Sequence, residues 1–130
     1  MPLSVHAAFE AQTGRTVLER YGMTETASGV VALLDDTGEG WAATAPSTAT
    51  VGRPLPGVEL RVEDGEIQIS GPMVFAEYLD DRKATDAAID RDGWLHTGDL
   101  GRIDDAGRLS VLGRGDDVIV RVGVVDDQPL

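Results

Sequence analysis

The sequence predicts a mixed α/β fold in which antiparallel β-hairpins predominate. Residues 58–62 and 66–70 alternate apolar and polar side chains on either side of Asp64-Gly65, which is typical of a tight hairpin. The run GVVALL, residues 29–34, is continuously apolar and suits a buried strand. Two segments with helical spacing complete the mixture, and a length of 130 residues favours one domain.

The first predicted element is a short helix near the start of the chain. Ser4 is a candidate N-cap, and Gly14 lies where a C-terminal cap is expected. Between them Val5, Ala8 and Phe9 recur at helical spacing. We therefore expect these three side chains to form the apolar face that packs on the rest of the domain.

Further elements follow from alternation, glycine turns and capping residues. Residues 16–20 predict a strand that runs into the loop ERYGMTET, residues 19–26, and residues 35–50 predict an exposed loop. The remaining predictions are a helix over 82–89 capped by Asp80 or Asp81, a turn at Asp92-Gly93, strand pieces 94–96 and 100–103 around a Thr97-Gly98-Asp99 turn, a hairpin turn over 104–107 into strand 108–112, and a strand over 118–122.

Composition narrows the classes of function. The formal net charge of -12 is spread along the chain, which disfavours attraction to nucleic acid or anionic membranes. The absence of cysteine excludes disulfides, thiolate metal sites and a cysteine nucleophile, and it favours the cytoplasm. No leader or membrane span is predicted, because the longest aliphatic run is too short. Lysine-dependent chemistry has one candidate, Lys83.

Tyr21-Gly22-Met23-Thr24-Glu25 has residue types that suit a nucleotide. The glycine lets backbone amides approach a ligand, the threonine hydroxyl can bond a phosphate oxygen, and the carboxylate can hold Mg²⁺ beside that phosphate. The alternative is a turn at a strand end, with Tyr21 packed and Glu25 in solvent. The pattern alone favours the turn.

Two later motifs carry the same ambiguity. In WLHTGD, residues 94–99, Asp99 could accept both hydroxyls of a ribose, although Thr-Gly-Asp is also a common turn and His96 is more often a packed strand residue than a base. In GRGDD, residues 113–117, Arg114 could bind a sugar or phosphate beside a flexible joint, and the alternative is a polar turn. Its acidic pair lacks the alternation of a calcium loop.

Taken in order, four stretches resemble the adenylate-forming superfamily of AMP-dependent acyl-CoA synthetases: YGMTE, VGRPLPGVELRV, GEIQISGPMVFAEYLDD and DGWLHTGDLGRIDDAGRLSVLGRGDDVI. The resemblance implies a fragment of the late N-terminal domain, with a strand and helix left from a parallel sheet followed by hairpins of a distorted barrel. It implies the reaction of a carboxylate, ATP and coenzyme A to acyl-CoA, AMP and pyrophosphate, with Mg²⁺ as cofactor. Malonyl-type or fatty-acyl-type substrates are expected, with a succinylbenzoate-CoA ligase as the alternative.

The resemblance also implies residue roles. Tyr21 and Gly22 would line the adenine and acyl pockets, Thr24 would bond the α-phosphate, and Glu25 would coordinate Mg²⁺. Further along, Asp99 would hold the ribose hydroxyls, Arg114 would reach the ribose, and Asp116 would be the hinge for a C-terminal domain.

The sequence departs from the family pattern at both ends. We expect residues 1–119 to be a partial adenylation domain and residues 120–130 to be a divergent tail, without the phosphate-binding loop or the domain that bears the family's lysine. This predicts a chain that is inactive by itself. A module that binds AMP or acyl-adenylate, or that a partner completes, is the alternative. Self-association through exposed truncated faces is also expected.

Overall fold

The computed structural model describes residues 3–15, 17–32 and 50–116 of the chain. It confirms the mixed α/β class, and every strand pair within those residues is antiparallel. The elements in chain order are α1 Leu3–Thr13, β1 Arg20–Gly22, a 3₁₀ helix Thr24–Thr26, β2 Gly29–Ala32, β3 Arg53–Pro54, β4 Glu59–Glu63, β5 Glu66–Ser70, α2 Arg82–Ala88, β6 Leu95–Ile103 and β7 Leu109–Arg114.

The strands form two sheets with their neighbours in chain order, β1-β2-β3 and β4-β5-β6-β7. The resemblance implied a parallel-sheet remnant at the start, but β1 and β2 pair antiparallel. A parallel pair needs a crossover of a dozen or more residues. The short link between β1 and β2 allows only the antiparallel arrangement.

The best-predicted unit is the hairpin of β4 and β5. Glu63 pairs with Glu66, and the two turn residues Asp64 and Gly65 have φ of 51° and 84°. Positive φ at both turn positions gives the twist that matches two antiparallel strands, and Asp-Gly adopts it at low cost. Local chemistry therefore sets the register of this hairpin.

The core lies where the two sheets meet. Val30 and Val31 of β2 cluster with Ile67 and Ile69 of β5 and with Leu109 of β7, and all five are buried. Backbone bonds join the same regions, because Leu109 N–H donates to Gly52 O at 2.7 Å. The predicted buried strand at 29–34 is confirmed over its first four residues, and its last two lie outside the described chain.

The first helix begins one residue before its predicted cap and exposes its predicted face. Ser4 is inside α1, and Val5 and Phe9 are 47% and 41% exposed. The buried side chain of this helix is His6, which directly follows Val5 and therefore lies on a neighbouring face of the helix. Gly14 does end the helix, with φ of 65° and its N–H donating to Glu10 O.

Two other predictions differ from the structure. The first strand begins at Arg20 and includes Tyr21 and Gly22, so the first part of the YGMTE motif is a strand and not a loop. Of the segment predicted as an exposed loop, only Thr50 is described, and it is buried with its hydroxyl donating to Leu109 O. The strand predicted over 118–122 lies outside the described residues. The helix after Asp81 is confirmed, and Asp81 Oδ1 caps it through Ala84 N–H.

The largest correction concerns Thr97-Gly98-Asp99. It was predicted as a turn between two strand pieces, but β6 runs without a break from Leu95 to Ile103. Gly98 has φ of 75° inside the strand. The register shifts close to this residue on both neighbours, between Glu66 and Gln68 in the pairing with β5 and between Leu100 and Gly101 in the pairing with β7. A glycine in a strand marks a kink as often as a turn, and here the pairing to β5 and β7 decides.

Candidate functional site

Asp99 is the centre of a polar group built from three strands. The Tyr21 hydroxyl of β1 donates to Asp99 Oδ2 at 2.6 Å, and Arg114 Nη1 at the end of β7 donates to Asp99 Oδ1 at 3.3 Å. The carboxylate side chain is 15% exposed, whereas the Arg114 side chain is 56% exposed. One edge of this group is therefore buried and the other is open to solvent.

The kink in β6 sets the direction of Asp99. Thr97 is buried and donates its hydroxyl hydrogen to Ile67 O at 2.7 Å, while its oxygen accepts Asp99 N–H at 3.1 Å. Gly98 N–H donates to Glu66 Oε1 at 3.0 Å, and Gly98 O accepts Gly115 N–H at 2.8 Å. Gly98, the residue before Asp99, is therefore held on its N–H side by Glu66 of β5 and on its carbonyl side by Gly115, which follows β7.

Tyr21 is held as the neutral phenol. Burial raises the pKa of Tyr21 well above 10, and the hydrogen bond to Asp99 raises the pKa further because a phenolate would face a carboxylate. Its ring also packs against the core. The structure thus combines the two alternatives left open for this residue, since Tyr21 is packed and also contacts a candidate site residue.

Glu25 lies in the 3₁₀ helix that follows β1. The Tyr78 hydroxyl donates to Glu25 Oε1 at 2.8 Å, and Phe75 N–H donates to Glu25 O at 2.8 Å. The hydrogen bond to Glu25 raises the pKa of Tyr78. Thr26, which is buried, closes the helix because its hydroxyl accepts Met23 N–H at 3.0 Å and donates to Ser28 O at 2.8 Å. The carboxylate is therefore oriented by a segment far along the chain.

Gly22 and Thr24 line an open pocket of about 490 Å³ whose other lining residues are Arg20, Met23, Ala27, Ser28 and Gly29. Tyr21 and Asp99 are not part of its lining, so the predicted residues fall into two adjacent groups. Gly22 also has a packing role, because a Cβ there would lie 2.1 Å from Ser28 O. No side chain fits between β1 and β2 at this position.

Asp116 lies two residues after the end of β7 and is exposed. It comes just after Gly115, whose N–H bonds Gly98 O. Asp117 and all residues after it lie outside the described chain. The predicted hinge residue therefore lies close along the chain to Arg114, which bonds Asp99, and to Gly115, which bonds Gly98.

A second polar cluster was not predicted from the sequence. His96 was expected to be a packed strand histidine, but its Nδ1 lies 3.0 Å from Glu66 Oε2 and its Nε2 lies 3.2 Å from Asp90 Oδ2. Burial lowers the pKa of His96, but the bonds to Asp90 and Glu66 outweigh it and raise the pKa overall. The sequence signal was weak: Asp90 lies six positions before His96, and Glu66 begins a predicted strand 30 positions earlier.

The donor set around Glu25 fits Mg²⁺ only in company with a phosphate. The described residues contain no group of three or more His, Cys, Asp or Glu side chains that could hold a metal ion. Mg²⁺ usually binds one or two carboxylates together with substrate phosphates and water. A single oriented carboxylate next to the exposed Thr24 meets that requirement without a preformed cage.

Comparison with known proteins identifies relatives over most of the chain. The AMP-binding enzyme family matches residues 1–79. The long-chain-fatty-acid–CoA ligase FadD15 of Mycobacterium bovis is 39% identical over 88% of this chain, and the malonate–CoA ligase of Arabidopsis thaliana is 37% identical over 95%. The chain spans about a fifth of those relatives, 18% and 20% of their lengths.

Solved structures agree with the sequence matches. The crystal structure of ATP-bound MatB from Rhodopseudomonas palustris superposes with a TM-score of 0.77 at 36% identity, covering 90% of this chain and 24% of that chain. The matched region includes strands from both sheets, as the coverage requires. Neither helix in the described part of the chain is long and apolar enough to cross a bilayer.

Proposed function

The chain belongs to the AMP-binding enzyme family, and from this premise we propose that Asp99 and its neighbours hold the ribose of an adenine nucleotide. The observation that carries the proposal is the Asp99 carboxylate fixed between Tyr21 and Arg114. Each of its two oxygens accepts one hydrogen bond from the protein. An ionised carboxylate has about four acceptor positions. Two remain for the vicinal hydroxyls of a ribose.

The site also has positive charge that suits an anionic nucleotide. Arg114 is half exposed and bonds to Asp99, so its remaining N–H groups can reach a sugar or phosphate oxygen. Arg20 lines the adjacent pocket and adds a second cation there. These two arginines offset the excess of acidic residues locally, which a chain with a net charge of -12 needs to bind an anion.

Thr24 and Glu25 complete the proposal on the phosphate side. Thr24 is exposed in the pocket and offers a hydroxyl to an α-phosphate, and Glu25 would hold Mg²⁺. When bound, the ion would neutralise charge on the phosphate oxygens. Tyr78 has the role of orienting Glu25 through its hydroxyl, and the exposed Asp116 remains the proposed hinge.

For the whole protein we propose an acid–CoA ligase activity. A carboxylate attacks the α-phosphate of ATP and releases pyrophosphate, and the thiol of coenzyme A then displaces AMP to leave the thioester. The names of the relatives support a fatty-acyl or malonyl-type acid. A succinylbenzoate-type acid is the alternative that the motif resemblance left open. The described site accounts for the adenosine and α-phosphate only.

A second candidate function applies to the 130 residues taken alone, namely binding of AMP or an acyl-adenylate without turnover. The supporting observation is the distribution of cations. Lys83 is the one lysine in the sequence, and it lies exposed on α2. Adenylation requires neutralisation of the β- and γ-phosphates, and losing one charged contact can cost about 3 kcal/mol, or about a hundredfold in rate.

Calorimetry with AMP tests the ribose assignment. Asp99→Asn keeps the shape of the side chain but removes its charge and half its acceptors, so we expect AMP affinity to fall about tenfold or more. Asp105→Asn, in the exposed turn between β6 and β7, is the matched control and should bind as the native chain does. Absence of heat at millimolar AMP, with the fold intact by circular dichroism, would refute the proposal, as would equal binding by Asp99→Asn.

Turnover is measured separately. The chain is incubated with ATP, Mg²⁺, coenzyme A and a panel containing malonate, a fatty acid and succinylbenzoate, and AMP and pyrophosphate are quantified. We expect AMP binding without product formation. Product above the level without protein contradicts the binding-only candidate and supports the ligase activity in this chain.

A further inference from the structure

Behind Asp99, one carboxylate links the strand kink to a histidine. Glu66 of β5 accepts Gly98 N–H through Oε1 at 3.0 Å and contacts His96 Nδ1 through Oε2 at 3.0 Å. Both oxygens of this side chain are therefore occupied, one on the residue before Asp99 and the other on a group that titrates near neutral pH.

Gly98 is the residue whose geometry determines where Asp99 points. Its φ of 75° is accessible to glycine and strained for other residues, and a Cβ there would lie 3.2 Å from Arg114 Nη2. The carbonyl of Gly98 is fixed by Gly115 N–H, and its amide is fixed by Glu66. The Gly98–Asp99 peptide is itself held by Gly115 N–H and by Thr97 Oγ1. Removing the Glu66 contact releases the Thr97–Gly98 peptide that precedes it, and with it one fixed side of the kink that leads to Asp99.

We propose that Glu66 is a positioning residue for the nucleotide site, which fixes the Gly98 peptide and thereby aims Asp99, and which makes that positioning respond to the protonation of His96. The inference rests on the proposed function of Asp99 in ribose binding. Glu66 does not contact the ligand in this arrangement. It acts through a backbone amide.

The hydrogen bonds of His96 explain why the response should reach Glu66. Nδ1 faces Glu66 and Nε2 faces Asp90, so donation to both carboxylates requires the doubly protonated ring. Gln68 Nε2 also lies 3.3 Å from Nδ1, and Arg61 Nε fixes the Gln68 amide by donating to its Oε1. When the ring is neutral, Nδ1 can accept from Gln68 while Nε2–H still donates to Asp90.

Deprotonation of His96 therefore removes the Nδ1–H group that donates to Glu66, while the bond to Asp90 is kept. The other charged groups of the cluster are Arg61 and Glu63. Arg61 pairs with Glu63 Oε2 at 2.9 Å, reaches Asp90 Oδ2 at 3.8 Å and stacks on Trp94 at 4.1 Å. Arg61, which Asp90 shares with Glu63, thus remains a cation near Asp90 when the histidine is neutral. Glu66 has no comparable second cation among its described contacts, so it keeps only the Gly98 amide as a partner and becomes less constrained.

The coupling is measured by NMR without any nucleotide. The imidazole of His96 and the amide of Gly98 are followed from pH about 5 to about 9, a range that spans the ordinary histidine pKa. We expect the Gly98 amide shift to change with the same midpoint as the His96 ring. Glu66→Gln should lower that midpoint, because a carboxylate facing the imidazolium is lost, whereas Glu59→Gln on the exposed side of β4 should leave it unchanged.

An amide of Gly98 that stays constant through the His96 titration would overturn the inference. So would an unchanged His96 midpoint in Glu66→Gln. A Gly98 step that persists unchanged in His96→Gln would also overturn it, because the step would then arise from another group.

The consequence for binding is measured with AMP below and above the His96 midpoint. At the lower pH we expect the native chain to bind AMP about threefold more tightly than Glu66→Ala does. At the higher pH this difference in affinity should be smaller. Comparing the two proteins at each pH cancels the titration of the AMP phosphate. Glu66→Gln retains an acceptor for Gly98 N–H and should recover most of the loss at the higher pH.

Equal AMP affinity of Glu66→Ala and the native chain at both pH values would refute the positioning role. Failure of the native chain to bind AMP at all would refute the proposed function instead. In that case the NMR titration still decides whether Glu66 couples His96 to Gly98, because it uses no ligand.

Discussion

The Tyr21 hydroxyl donates a 2.6 Å hydrogen bond to Asp99 Oδ2 and joins two sheets across 78 positions of the sequence. Tyr21 belongs to β1 of the first sheet and Asp99 to β6 of the second. The motifs YGMTE and HTGD, which are separate in the sequence, are thus tied by a direct bond. We infer that the adenine side and the ribose side of the proposed site move as one unit.

Replacing Tyr21 by Phe should destabilise the chain and change its behaviour in alkali. The lost bond to an ionised acceptor corresponds to about 2 kcal/mol of unfolding free energy. Because burial and Asp99 raise the pKa of Tyr21 in the folded state, its contribution is present below the unfolded pKa of about 10 and is lost as the pH rises toward the folded value. Urea unfolding at neutral and alkaline pH measures both effects.

The control for this prediction is Tyr78→Phe, which also removes a phenol with a raised pKa but leaves Asp99 untouched. An alkaline stability slope in Tyr21→Phe as steep as in the native chain would contradict the assignment to Tyr21.

Tyr78 should matter for Mg²⁺ rather than for AMP alone. Tyr78→Phe keeps the edge-on ring contact with Phe75 at 4.6 Å but removes the donor that orients Glu25 Oε1. We expect affinity for AMP without metal to stay within about twofold and affinity for ATP with Mg²⁺ to fall about fivefold, the cost of about one hydrogen bond. Calorimetry with each ligand, with Glu77→Gln as an exposed control, gives the comparison. An equal loss for both ligands would contradict a role through Glu25.

His96 should stabilise the fold on the acidic side of neutrality. Its pKa is raised in the folded state, so its stabilisation is fully present below the unfolded pKa of about 6.5 and is lost as the pH rises through the folded value. The lowered pKa of Asp90 has the opposite sign, and its contribution is lost only as the pH falls below its ordinary value of 3.8. The urea midpoint should decline as the pH rises above about 6.5, the unfolded value, and His96→Gln should remove that decline.

The parts of the fold that the sequence predicts well are those decided by neighbouring residues. Asp64-Gly65 specifies a hairpin by its own conformational preference, and Asp81 caps α2 through an amide three positions away. The prediction of a turn at Thr97-Gly98-Asp99 was wrong because the same residue types occur both in turns and in kinked strands. Pairing with β5 and β7 decides between the two, and that pairing is not local.

The candidate site shows the same division. Motif order predicted the residues of the candidate site, but partners such as Tyr78 for Glu25 lie 53 positions away and follow no spacing rule. The contact between His96 and Glu66 joins two strands through side chains that point out of the core. The alternation of a strand predicts which face a residue occupies, whereas the register between strands determines what it meets there.

Gly22 provides the sharpest test of whether a motif residue serves packing or ligand access. Gly22→Ala would place a Cβ 2.1 Å from Ser28 O and 2.5 Å from Gly29 Cα, so β1 and β2 must separate. We expect a loss of at least about 3 kcal/mol of unfolding free energy without any ligand. Gly14→Ala, at φ of 65° with no atom within 4 Å, isolates backbone strain and should cost about 1 kcal/mol. A Gly22→Ala chain that is as stable as Gly14→Ala but has lost AMP binding would show that the glycine is needed for the ligand rather than for the sheet, because packing would then have tolerated the methyl group.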